Sequence, residues 1–192
     1  MATIIGLLRH GQTDWNIDMR LQGISDIPLN ETGHAQARIA AGILSVGEWN
    51  QVISSPLSRA RVTAQYVVDA LGLNEFYVHE LLLERSFGVA EGSSYEEWRE
   101  RLQAGIHAEG AESIEELEAR VHLLLAELAE KYAGKSVVAV SHGALIRKLI
   151  GMVSAGEFPR EGERFGNASL TKIVHDGNSW KILDYNPATL SD

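Results

Sequence analysis

At 192 residues with 45% hydrophobic content, the chain has the size of one ordinary domain and enough apolar side chains to fill its own core. Seventeen Lys and Arg against 26 Asp and Glu leave a net charge of −9, which repels nucleic acid and anionic membrane surfaces. The chain has no cysteine, which excludes disulfides, thiolate metal sites and cysteine nucleophiles. The apolar opening from Ile4 to Leu8 is too short for a spanning helix or a signal h-region, so a soluble, cytoplasmic protein is expected. No repeat, low-complexity tract or flexible linker interrupts the sequence, and residues 1–192 read as a single domain.

The continuous apolar run "TIIGLL" (Thr3 to Leu8) predicts a strand covered on both faces. From Glu31 to Val46, the positions Ala35, Ile39, Gly42, Ile43 and Val46 recur at helical spacing behind an Asn30 cap. A second short strand runs from Gln51 to Ser55. Ser55 and Pro56 then read as N-cap and first position of a helix from Leu57 to Leu71, with Ala60, Ala64, Val67 and Leu71 inward. Phe76 to Leu83 is a third, mixed strand candidate. Ser94 with Glu97 and Ser113 with Glu116 form two capping boxes. The second box opens a helix to about Ala133, with Ile114, Leu117, Val121, Leu124 and Leu128 on one stripe. The acidic stretch around Glu112 to Glu118 reads as a solvated face. Ser136 to Ser141 is the clearest buried strand, followed by a helix from Gly143 to Val153. The segment from Ser169 to Tyr185 predicts two strands joined at Asp176-Gly177. Strands alternating with helices predict an α/β fold, a three-layer sandwich with a mostly parallel sheet, helices on both faces and a C-terminal antiparallel hairpin.

In an open parallel sheet, ligands bind beyond the carboxyl ends of the strands. There stand Arg9-His10-Gly11 after the first strand, Arg59 on the helix after the second, Glu84 after the third and His142-Gly143 after the fourth. Two guanidinium forks, the backbone of a glycine turn and the helix end at Gly143 suit a phosphate. A neutral imidazole there can attack phosphorus, and a carboxyl group can protonate the leaving oxygen. Arg61 rivals Arg59, and Glu80 and Glu91 rival Glu84. The remaining histidines, His34, His79, His107, His122 and His175, have no recognisable metal-ligand spacing, so neither metal nor cofactor is expected. Trp15 reads either as core or as the rim of the pocket.

The segments "LLRHGQTDWN", "SSPLSRARVTA", "LLERSFGVAEG" and "VSHGALIRKLI" resemble the four signature segments of the histidine phosphatase superfamily, the phosphoglycerate mutase-like fold. The resemblance implies that His10 is the phosphorylated nucleophile, Arg9 and Arg59 the phosphate clamp, His142 the second histidine and Glu84 the proton donor. It also implies a phosphate contact at Asn16 and a pocket wall at Gln22 and Gly23. The pattern departs from the family at Ala90, where an aromatic often precedes "EG", and at "GAES" (Gly110 to Ser113). The implied partner is a small phosphorylated metabolite rather than nucleic acid or membrane, and a homodimer is compatible with the sequence. Three activities follow: a phosphomonoester hydrolase, a cofactor-dependent phosphoglycerate mutase, or a noncatalytic phospho-ligand binder. The covering segment from Ser93 to Gly110 is short for a mutase, which favours the hydrolase.

Overall fold

The computed structural model describes residues 2–44 and 49–190. In chain order it contains β1 (Thr3–Arg9), α1 (Asp14–Ile17), α2 (Glu31–Ile43), β2 (Gln51–Ser54), α3 (Ser58–Leu71), β3 (Tyr77–Val78), α4 (Tyr95–Gln103), α5 (Ile114–Lys131), β4 (Ser136–Ser141), α6 (Gly143–Val153), β5 (Leu170–His175) and β6 (Trp180–Asp184). The six strands form one α/β sheet in the order β3-β2-β4-β1-β5-β6. β3, β2, β4 and β1 run parallel, whereas β5 and β6 form the expected antiparallel hairpin on the far side of β1.

Alternate residues of the central strands enter two cores. Ile5, Leu7, Val137 and Ala139 pack with α5 and α6, and Leu8, Val138 and Val140 pack with α2 and α3. Burial on both faces is why these strands read as unbroken apolar runs. Gly6 interrupts β1 for a steric reason: a Cβ there would lie 2.6 Å from the Trp49 ring. No helix among the described residues is long and apolar enough to cross a membrane.

Most local signals match the elements. Asn30 caps α2 by accepting from Gly33 N–H at 2.8 Å, and both predicted capping boxes form at α4 and α5. Four expectations are corrected. The face of α2 that packs inward is Gly33, Ala37, Ala40 and Ala41, while Ile39 and Ile43 are 46% and 51% exposed; Val46 lies outside the described residues. Small side chains let α2 lie close against α3, an advantage that a pattern weighted by large apolar residues misses. Helix α3 starts at Ser58, not after a Ser55 cap; Asp26 Oδ1 accepts from Ser58 N–H at 2.7 Å instead. The third strand is only Tyr77–Val78, because Glu80 to Leu82 form a 3-10 turn that buries Leu82. Finally, α5 ends at Lys131 and leaves Ile114 47% exposed, with Leu125 joining its buried stripe.

Candidate active site

The parallel register places Arg9 opposite Ser141, so the residues that follow β1 and β4 stand side by side. His10 N–H donates to the Ser141 carbonyl at 3.0 Å, and the His10 and His142 rings face each other with centroids 5.1 Å apart. β2 flanks β4 and delivers Ser55, whose N–H bonds the Val140 carbonyl at 3.0 Å. Arg59 projects from the buried face of α3, shared with Ala60, Thr63, Ala64 and Val67, and its side chain is wholly enclosed. Its Nε donates to His142 Nδ1 at 3.2 Å, while Nη1 and Nη2 donate to the Ser25 and Gly23 carbonyls at 2.7 and 2.8 Å. Arg9 donates to the Phe165 carbonyl, and Gly143 lies against its guanidinium, where a Cβ would stand 3.4 Å from Nε. The fold therefore brings Arg9, His10, Arg59, Glu84 and His142 to one edge of the sheet.

Hydrogen bonds assign the tautomers. His10 Nδ1 lies 2.6 Å from the Gly11 carbonyl, which can only accept, so Nδ1 carries the proton and Nε2 the lone pair. No protein group among the described residues bonds that Nε2. An arginine can only donate, so His142 Nδ1 accepts from Arg59 and its Nε2–H points to Ser55 Oγ at 2.7 Å. Burial, followed by the charges of Arg59 and Arg9, holds His10 well below the usual histidine pKa. Burial and the charge of Arg59 do the same for His142, with His10 and Arg9 adding to it. Both rings are neutral near pH 7. Burial pushes Arg59 down to about 10, against the opposing charge of Glu84, which leaves it protonated. Arg9 is lowered by burial and raised by Glu84.

Glu84 sits at the start of α6 rather than beside the imidazoles alone. Its Oε1 accepts from Arg85 and Leu145 N–H, both at 2.9 Å, and its Oε2 from Ala144 N–H at 3.0 Å. The sequence suggests that the end of this helix near Gly143 favours a phosphate; two of its first-turn amides are occupied by this carboxyl group. Asn16 completes a capping box on α1 with Thr13, and its Oδ1 also accepts from Asn167 Nδ2 at 3.1 Å, leaving its own Nδ2 outside these bonds. Gln22 is 8% exposed, and its Oε1 has no partner. Gly23 needs to be glycine, since its φ is +53° and a Cβ would lie 2.0 Å from Glu91 Oε1. Trp15 is half-buried, with its ring against Gly92. Arg61 and Glu80 are exposed.

Several side chains around this site take supporting roles that the sequence did not assign to them. Glu91, weighed there only as a rival acid, accepts from Ile24, Ser25 and Phe87 N–H at 3.0, 2.8 and 3.1 Å and from Ser25 Oγ at 2.5 Å. It thereby ties down the loop whose carbonyls hold Arg59. Arg120 and Glu112 form a bidentate pair at 2.7 and 2.8 Å, so Glu112 is not the solvated residue expected. Arg120 also donates to the Leu81, Leu83 and Glu84 carbonyls at 3.0, 2.7 and 3.4 Å, gripping the turn that carries Glu84. Thr63 Oγ1 accepts from Gly11 N–H at 3.2 Å, fixing the loop after His10.

The model of the histidine phosphatase superfamily (branch 1) matches residues 5–187. The chain belongs to this superfamily. It is 38% identical over 184 residues to a protein of Bacillus subtilis (strain 168) named uncharacterized phosphatase PhoE, covering 96% of this chain and 94% of the relative. It is 32% identical to a probable phosphoglycerate mutase GpmB of Photorhabdus laumondii, over 97% of this chain and 91% of that one. Among solved structures, a mycobacterial glucosyl-3-phosphoglycerate phosphatase superposes with a TM-score of 0.82 at 31% identity, covering 98% of this chain and 100% of the other. Superfamily members of both the phosphatase and the mutase kind are thus represented among the relatives of this chain.

Proposed function

We propose that this superfamily member is a phosphomonoester hydrolase that acts on a small phosphorylated metabolite through a phosphohistidine at His10. The observation that carries the reading is the lone pair on His10 Nε2, left without a protein partner because Nδ1–H is committed to Gly11, on a ring that lies 5.1 Å from the His142 ring and feels the charges of Arg59 and Arg9. In the first step His10 Nε2 attacks phosphorus in line and forms the P–N bond. The bond from phosphorus to the ester oxygen breaks, and that oxygen takes the Glu84 carboxyl proton. In the second step water attacks phosphorus and gives a proton to Glu84, the P–N bond breaks, and inorganic phosphate leaves. Arg9 and Arg59 neutralise charge on the transferring phosphoryl oxygens, and the neutral His142 ring can donate to them through Nε2–H, in a water-poor setting where each contact counts strongly. Asn16, Gln22, Gly23 and Gly143 line the phosphate site.

The test is covalent trapping. Quenching with substrate should yield an acid-labile, base-stable phosphate on His10, and His10→Ala should lose it along with a factor of roughly 10³ or more in kcat. Label retained on the His10→Ala protein would overturn the assignment. The mutase reading has support from relatives of that name. With 3-phosphoglycerate and 2,3-bisphosphoglycerate, the hydrolase releases inorganic phosphate, whereas a mutase equilibrates the 2- and 3-phosphoglycerates many times faster.

A further inference from the structure

A cavity of about 640 Å³ opens between α4 and α6. One wall is the face of α6 formed by Ala144, Arg147, Lys148 and Gly151, and the other is the face of α4 formed by Tyr95, Trp98, Arg99 and Leu102. Both sets have the i, i+3, i+4, i+7 spacing of a single helix side. The groove adjoins the candidate acid through its neighbours: Ala144 and Arg85 line it, and the N–H groups of both donate to the Glu84 carboxyl group, while Glu84 itself is not part of the lining. From Ala144 to Met152 it extends about 12 Å along α6. Phe87, Leu102, Ile114 and Met152 make its surface apolar.

Two features of the lining select an occupant. No carboxylate, carboxamide or Ser/Thr hydroxyl side chain contributes to it, so the hydroxyl groups of a sugar would be desolvated with few acceptors to receive them. All four charged side chains are cationic, in a chain of net charge −9. Lys148 is paired with Glu118 at 2.5 Å, but Arg147 donates only to the Glu163 carbonyl, and Arg99 makes no hydrogen bond or ion pair among the described residues. We infer that this groove receives the alcohol part of the substrate, and that this alcohol has an extended apolar body ending in an anionic group. The inference rests on the hydrolase reading for its chemistry and on the groove for its selectivity.

Primary alkyl phosphates separate the two, because their leaving groups are chemically alike and only the chain differs. Ethyl phosphate, n-hexyl phosphate and 6-phosphooxyhexanoate are compared by kcat/KM. Each methylene that enters the groove is worth about threefold to fourfold, so hexyl should exceed ethyl by on the order of 10². The terminal carboxylate should add a further factor of about five to ten, lost in Arg99→Ala with Arg147→Ala. Gly151→Leu fills the groove without a backbone clash, since a Cβ there meets only the Phe158 carbonyl, at 3.7 Å. This variant should erase the hexyl-to-ethyl ratio while keeping the wild-type circular dichroism. Titration calorimetry with methylphosphonate and hexylphosphonate on the same proteins reads the groove without turnover. Preferential hexylphosphonate binding, abolished by Gly151→Leu, on a protein that hydrolyses none of the esters would retain the groove and refute the hydrolase. Equal kcat/KM and equal binding for short and long chains, or a preference untouched by Gly151→Leu, would overturn the inference.

Discussion

Three backbone N–H groups point at the Glu84 carboxyl group, and two of them belong to the first turn of α6. The same side chain can therefore serve as the leaving-group acid or simply hold the helix start beside His142. Glu84→Gln separates these roles, because glutamine keeps an acceptor oxygen for an amide but has no acidic proton. We expect kcat/KM for alkyl phosphates to fall by roughly 10² or more, as for loss of a general acid, while p-nitrophenyl phosphate loses far less because its phenolate departs unprotonated. Equal losses on both ester types would assign Glu84 to support of α6. At this scale the sequence was informative about residue type and misleading about partnership. Ser55 reads as a helix cap from its Ser-Pro context, yet its hydroxyl faces His142 Nε2 at 2.7 Å. Its partner lies 87 residues away, beyond the reach of any local pattern.

The elements hold the site through a few long-range clamps. Loop and helix meet without side chains where Gly11 faces Gly33, since a Cβ on Gly11 would lie 2.3 Å from the Gly33 carbonyl. Helix α5 supports the Glu84 turn through Arg120, which is paired with Glu112 and only 17% exposed at the side chain. Arg120→Met would strand a largely buried carboxylate and release the Leu81 and Leu83 carbonyls. We expect a loss of about 2 to 4 kcal/mol in urea unfolding, in the range for breaking an enclosed ion pair from one side. Because the turn carries Glu84, the same variant should depress alkyl phosphate turnover more than p-nitrophenyl phosphate turnover. An unchanged ratio of the two rates, with stability lost, would show that the clamp serves the fold alone. Capping boxes were legible here because their two partners lie only three positions apart. The inward face of α2 was not, because its small side chains gain their value only from the approach of α3.

For the molecule as a whole, a net charge of −9 coexists with a buried Arg59, a partly buried Arg9 and two buried neutral imidazoles. His10 and His142 both have folded-state pKa values below the ordinary histidine range, chiefly through burial and then through Arg59. As pH falls below about 6.5, the unfolded chain binds protons at these positions and the folded chain does not, so stability is lost toward acid. Above that pH both states are neutral there and the contribution is fully present. Each histidine adds up to about 1.4 kcal/mol per pH unit to the slope. Urea unfolding at pH 7.5, 6.5 and 5.5 should show this decline, and His10→Gln with His142→Gln should flatten it. His79, lowered by burial as well, leaves a smaller slope of the same sign. An unaltered slope in the double variant would mean that neither ring is held neutral.

The α/β class, the buried central strands and the two capping boxes follow from the sequence because each depends on neighbours a few residues apart, as helical or strand periodicity and helix ends do. The types of the candidate residues at the strand ends were equally legible, since Arg9, His10, Glu84 and His142 each adjoin an apolar or turn segment that marks its position. Only the tertiary structure decided that β1 lies directly beside β4 with Arg9 opposite Ser141, and hence that the two imidazoles face each other. It also decided that Arg59 reaches His142, that Glu84 sits on the start of α6, and that Arg120 grips the turn before it. Strand order, and the choice of a hydrogen-bond partner from a distant segment, minimise the free energy of the packed whole, and no local periodicity encodes them.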